Sequence, residues 1–127
     1  MSQPPPAKKV LVVDDEATVR FLLSRVLTHA GFAVEVATDG ESALARIQSS
    51  EPDLMVLDLM MPGIDGWGVL ERLKAGGSTL PVLVVSAHGD THTETRAIEA
   101  GASGYMTKPF ALKALVESCK GLIAGKK

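Results

Sequence analysis

The sequence predicts an α/β domain built on a mostly parallel sheet with helices on both faces. Three observations predict it. Short apolar runs alternate five times with segments whose apolar residues recur at helical spacing. Two of the runs, Val10–Val13 and Pro81–Val85, are continuous, as strands covered on both faces are. The chain has 127 residues, 46% of them hydrophobic, which fits one domain with its own core.

The elements follow in order. Residues 1–7 are Pro-rich and are expected to be a disordered tail. One domain is expected over 8–124, with 125–127 as a C-terminal tail. Val10–Val13 is the first strand and ends at Asp14 and Asp15. From Ala17 to Ala30 the residues Val19, Leu22, Leu23, Val26 and Leu27 mark one helical face, and Gly31 ends the helix. Ala33–Ala37, with Glu35 in its middle, reads as an edge strand. Thr38 or Asp39 can cap a second helix whose inner face is Ala43, Leu44 and Ile47. Leu54–Leu57 is a strand ending at Asp58. The loop Met60, Met61, Pro62, Gly63 follows, and Asp65 can cap a helix carrying Val69, Leu70 and Leu73. Pro81–Val85 is a fourth strand ending at Ser86. A weakly patterned helix is expected over 90–100, stopped by Gly101. Ser103–Thr107 is a short fifth strand. The last helix, about 110–123, aligns Leu112, Leu115, Val116, Cys119 and Leu122.

Composition removes several classes of function. A single cysteine, Cys119, excludes an internal disulfide framework. The apolar runs are far shorter than the roughly 18 residues of a membrane helix. The first residues carry no apolar signal region, so a cytoplasmic location is the default expectation. A net charge of −2 and 4% aromatics speak against direct nucleic-acid binding.

Open parallel sheets bind ligands at the carboxyl ends of their strands. Those ends carry Asp14, Asp15, Asp58 and Ser86, and Lys108-Pro109 follows the fifth strand. With a strand order of 2-1-3-4-5 the carboxylates converge and repel one another. A divalent cation relieves that repulsion. An all-oxygen set suits Mg²⁺, with Mn²⁺ as the alternative, better than Zn²⁺. Lys108 can neutralise a phosphoryl oxygen, Ser86 can donate to another, and a carboxylate can accept a phosphoryl group. The chemistry points to phosphoryl transfer onto an aspartate.

These residues resemble those of bacterial two-component response-regulator receiver domains, the CheY-like family. The likeness is carried by Val12-Val13-Asp14-Asp15-Glu16, by Leu57-Asp58 with Met61-Pro62-Gly63 and Asp65-Gly66, by Val85-Ser86-Ala87, by Gly101-Ala102 and by Lys108-Pro109-Phe110. It spans about residues 8–123. The resemblance implies an open, doubly wound, five-stranded parallel sheet of order 2-1-3-4-5 flanked by five helices, the flavodoxin-like fold. It implies a phosphorylation-controlled signalling module, not a turnover enzyme. Asp58 would be the phosphoacceptor. Asp15, Asp58 and the Met60 backbone carbonyl would bind Mg²⁺ directly, with Asp14 acting through a metal-bound water. Ser86 and Lys108 would complete the site, and Ser86 and Tyr105 would form the switch. The Lys108–Pro109 bond would be cis. Met60 and His88 hold the two places at which the family tunes its rates, and a methionine at the first leans toward a longer-lived phosphoryl group. The implied partners are a histidine kinase or phosphotransfer protein and an unknown downstream protein, reached through the face of helix four, strand five and helix five. A monomer or a weak phosphorylation-dependent dimer is expected.

Two other function classes are weighed. A haloacid-dehalogenase-type phosphohydrolase carries a second acid two residues after its nucleophile, whereas Asp58 is followed by Leu59 and Met60. A phosphorylation-independent interaction module usually lacks one of the acids or the lysine, and all are present. His29, His88 and His92 make no ligand set with Cys119. Taken alone, Ser86 reads as a cap for the helix after it. Met1 and the final Gly-Lys-Lys fit a stand-alone protein, with excision from a longer one as the alternative.

Overall fold

The computed structural model describes residues 7–87 and 89–125. Five strands and five helices alternate: β1 (Lys9–Val13), α1 (Ala17–His29), β2 (Ala33–Ala37), α2 (Gly40–Ser50), β3 (Leu54–Asp58), α3 (Gly66–Ala75), β4 (Val82–Ser86), α4 (Thr91–Glu99), β5 (Gly104–Thr107) and α5 (Leu112–Ala124). All strand pairs are parallel, in the order β2-β1-β3-β4-β5.

Strand alternation sorts the core into two layers. Leu11, Val13, Met55, Leu57, Val82 and Val84 point to one face, where Ala43, Val69, Leu70 and Ala97 of α2, α3 and α4 cover them. Val10, Val12, Leu54, Val56, Leu83 and Val85 point to the other, under Leu23 and Leu27 of α1 and Leu115 and Cys119 of α5. The central strands are therefore apolar at every position, which is why they read as continuous runs. Glu35 sits on edge strand β2 and accepts a hydrogen bond from Ser50 Oγ at 3.0 Å, which ties that edge to α2.

Register sets the height of each strand end. Val13 pairs with Leu57, so Asp14 and Asp58 come level. Asp58 pairs with Val85 and Ser86 with Thr107, so Ser86 follows one step beyond Asp58 and Lys108 two. The four functional strand ends thus open onto one rim.

Several expectations shift. Leu22, expected on the inner face of α1, is 45% exposed, because Leu23 and Leu27, with Val19 and Val26 beside them, make the contact with the core. Asp39 is the cap of α2, with its carboxylate accepting from Ser42 N at 2.8 Å. Ser86 is not the cap of α4. It ends β4, and Asp90 caps the helix instead, accepting from Thr93 N at 2.8 Å. The last helix begins at Leu112, two residues later than expected. No described helix is long and apolar enough to cross a membrane. Of the expected N-terminal tail, residues 1–6 lie outside the described residues, as do 126–127 of the C-terminal one; Ala7 is exposed.

Candidate phosphoacceptor site

The turn after β1 builds the acidic rim. Asp14 N donates to Ala37 O at 3.3 Å, so the edge strand holds the turn in place. Glu16 N donates to Asp14 Oδ1 at 2.9 Å, and Arg20 Nη1 donates to the Asp14 carbonyl at 2.9 Å. Asp14 is buried while Asp15 faces solvent.

The loop after β3 presents the second part. Asp58 is only 5% exposed, and Met60 N donates to its Oδ1 at 3.3 Å. Gly66 N donates to Leu59 O at 2.9 Å, which draws the start of α3 under the end of β3. The approach is close enough that only glycine fits: a Cβ at Gly66 would sit 2.5 Å from the Asp58 carbonyl oxygen. Asp65 caps α3 by accepting from Gly68 N at 2.9 Å.

Lys108 closes the site from the other side. Its Nζ donates to Asp14 Oδ2 at 3.0 Å and stands 3.7 Å from Asp58 Oδ2. Lys108 N donates to Ser86 O at 2.7 Å, and the Lys108–Pro109 peptide is cis. Ser86 is fully buried.

Burial and crowding govern the charges. Burial pushes the Asp58 carboxyl above its ordinary value and the Asp14 charge adds to this; Lys108 and the Met60 N–H oppose it, and Asp15 raises it further. For Lys108, burial alone lowers the pKa. The hydrogen bond to Asp14, with the charges of Asp14, Asp58 and Glu16, outweighs it and lifts the pKa above 10.5.

One carboxylate oxygen from each of Asp14, Asp15 and Asp58 lies within 4.8 Å of the others. Three hard oxygen donors crowded together, with burial and Asp14 raising the Asp58 pKa, fit a divalent cation such as Mg²⁺ that relieves the repulsion. The site expectations are brought together here in part. Asp14, Asp15, Asp58, Met60 and Lys108 share the rim, and Ser86 joins it through its carbonyl and the end of β4. Tyr105 is half-buried against the core layer covered by α2, α3 and α4. His88 lies outside the described residues. Two residues escape a sequence reading. Arg20 supports the Asp14 carbonyl from the first turn of α1, and nothing in its spacing marks it. Gly66 stands within a quoted motif, but its contact with Asp58 depends on how α3 meets β3.

A parallel sheet whose strand ends gather three carboxylates and a lysine, with no phosphate-binding glycine loop after β1, defines a metal-assisted phosphoacceptor domain. The comparisons agree. Residues 10–120 match the response regulator receiver domain family. The response regulator MprA of Mycolicibacterium vanbaalenii is 43% identical over 115 residues, which is 91% of this chain and 50% of that protein. MprA of Mycobacterium tuberculosis shows the same identity and coverage. The chain thus spans about half the length of these relatives. The receiver domain of the Francisella response regulator 1452 superposes with a TM-score of 0.91 at 32% identity, covering 94% of this chain and 99% of that one. The receiver domain of NtrX from Brucella abortus gives 0.85 at 35% identity, covering 91% and 98%. The chain belongs to the response regulator receiver domain family. It is a phosphoacceptor signalling module of two-component systems.

Proposed function

We propose that Asp58 is the phosphoacceptor and that its phosphorylation switches the binding of a downstream protein. A carboxylate oxygen of Asp58 attacks the phosphorus of a phosphohistidine. The P–N bond breaks, the electron pair leaves with the imidazole, and an acyl phosphate remains. Asp15, Asp58 and the Met60 carbonyl would hold Mg²⁺ directly and Asp14 would hold it through water; when bound, the ion supplies charge neutralisation for phosphoryl oxygens. Lys108 supplies a second positive charge, and Ser86 donates to a third oxygen. The observation that carries this reading is Lys108 Nζ set between Asp14 at 3.0 Å and Asp58 at 3.7 Å, beside the carboxylate cluster.

The donor must approach across the rim. Beside Lys108 a groove of about 280 Å³ is lined by Val19, Leu22, Leu23, Pro109, Phe110 and Leu112. Apolar surface at that place supports a kinase docking there. The thioether of Met60, 57% exposed at the rim, cannot orient attacking water, which supports a long-lived phosphoryl group. For the output we propose the α4-β5-α5 face: Ser86 moves toward the phosphoryl group and Tyr105 turns into the space released. Domain bounds of 8–124 are proposed from the elements and the family match. The protein is proposed to be a monomer, or a weak dimer when phosphorylated.

Beryllofluoride, a phosphoryl mimic, tests the switch. With Mg²⁺ it should shift amide NMR signals from Asp58 through Ser86 to Tyr105. In Ser86→Ala the mimic should still bind, with the shifts at Tyr105 largely lost. Unchanged distal shifts in Ser86→Ala would overturn the relay.

A further inference from the structure

Helix α4 is fastened unequally along its length. At its C-terminal end, Ala97 is fully buried. Ala102 N donates to Ala97 O at 3.0 Å and Gly101 N to Ile98 O at 3.0 Å, with Gly101 at φ 114, so the chain turns at once into β5. Two cross-links arrive from α3. The Arg96 guanidinium lies 4.2 Å from the centroid of the Trp67 ring, a cation–π contact. Lys74 Nζ donates to Glu99 O at 2.9 Å, which places an ammonium on the negative end of the α4 dipole.

At the other end, the hydrogen bonds of the described residues lie within the helix's own first turn. Asp90 Oδ1 accepts from Thr93 N at 2.8 Å and from Thr93 Oγ1 at 3.0 Å, both within one turn. Thr91, His92, Glu94 and Thr95 are exposed. An open cleft of about 390 Å³ is lined by Trp67, Glu71, Lys74 and Arg96. The cross-links therefore span from α3 to α4 as long side chains over open space, and not as a packed seam.

We propose that α3 holds the C-terminal half of α4 as a fixed hinge, through Arg96 on Trp67 and Lys74 on the Glu99 carbonyl, so that switching moves only the N-terminal turn, residues 90–95. The proposal deepens the phosphoryl-switch reading and rests on it. The N-terminal turn follows Ser86 closely in sequence, so a displacement at the end of β4 reaches it first. The hinge end stays with α3. The surface that a downstream protein senses on α4 is then its polar first turn.

The test uses the full chain and the variant Lys74→Ala/Arg96→Ala. Both side chains are on exposed residues outside the acidic site, so folding and phosphoryl chemistry are retained. Hydrogen exchange without ligand reads the clamp alone. Amides 98–101 should exchange about tenfold faster in the double variant, with the sheet amides unchanged. Equal exchange in both proteins would remove the clamp. Beryllofluoride with Mg²⁺ then reads the hinge. In wild type the shifts should stop before Ala97 and leave the Trp67 indole signal in place. In the double variant they should run on through residues 97–100. A wild-type shift spread evenly over α4 and Trp67 would overturn the hinge while leaving the switch reading standing. Shifts confined to the Asp58 pocket would overturn both.

Discussion

Lys108 Nζ is hydrogen-bonded to Asp14 at 3.0 Å and stands 0.7 Å further, at 3.7 Å, from Asp58. The ammonium is therefore seated on the acid that is not the proposed acceptor. It still lies close enough to Asp58 to meet a phosphoryl oxygen added there. Asp14, 1% exposed, needs this partner, since a buried carboxylate with no cation is costly.

Lys108→Met should destabilise the apo protein by about 1–3 kcal/mol, less than a fully buried pair because the lysine is partly exposed. The pKa of Lys108 is raised above 10.5, so its contribution is complete at neutral pH and is lost only as pH rises through the raised value. Urea denaturation of both proteins at pH 7 checks this. Equal midpoints would show that the ion pair contributes nothing.

Asp58→Asn should act in the opposite direction. The folded pKa of Asp58 lies above its ordinary 3.8, so the folded state binds this proton more tightly than the unfolded state. The stability that goes with it is full below pH 3.8 and is lost as pH rises through the folded pKa. In EDTA at pH 7 the asparagine variant should therefore melt higher than wild type, and the gap should close below pH 3.8. Adding Mg²⁺ should stabilise wild type more than the variant. Thermal melts across pH, with and without the metal, show whether the order holds.

Gly66→Ala should cost about 2–3 kcal/mol, because the added methyl meets backbone at Asp58 and Leu59 that cannot turn aside. The same displacement moves the acceptor loop, so Mg²⁺ affinity should fall as well. Calorimetric titration of the folded variant separates the two effects. A variant with wild-type stability and affinity would show that the loop yields freely.

Cys119 should be inert in the native state. It is fully buried, and burial pushes its thiol up to about 12. A thiol-reactive chromogenic disulfide at pH 8 should label it only at the rate of unfolding. Immediate labelling without denaturant would place the sulfur at the surface.

The acids were legible because each ends or follows an apolar run, and a change from Val or Leu to Asp marks a strand end directly. Lys108 was legible only through its place after the fifth strand and the family likeness. The register that levels Asp14 with Asp58 was not. Strand order is a long-range property that no local pattern carries, and the order 2-1-3-4-5 was readable only through the family likeness. Ser86 shows the same limit. Its spacing before a helix suits a cap, yet Asp90 competes for that place and wins, because its carboxylate reaches both the N–H and the hydroxyl of Thr93. Arg96 and Trp67 lie 29 positions apart, and only the packing of α3 beside α4 joins them.

The measurement that bears most directly on the central claim is intact-mass spectrometry after treatment with acetyl phosphate. The wild-type protein should gain one phosphoryl group with Mg²⁺ and none with EDTA, and Asp58→Asn should gain none under either condition. A full adduct on Asp58→Asn, or one formed equally well in EDTA, would contradict metal-assisted phosphorylation of Asp58.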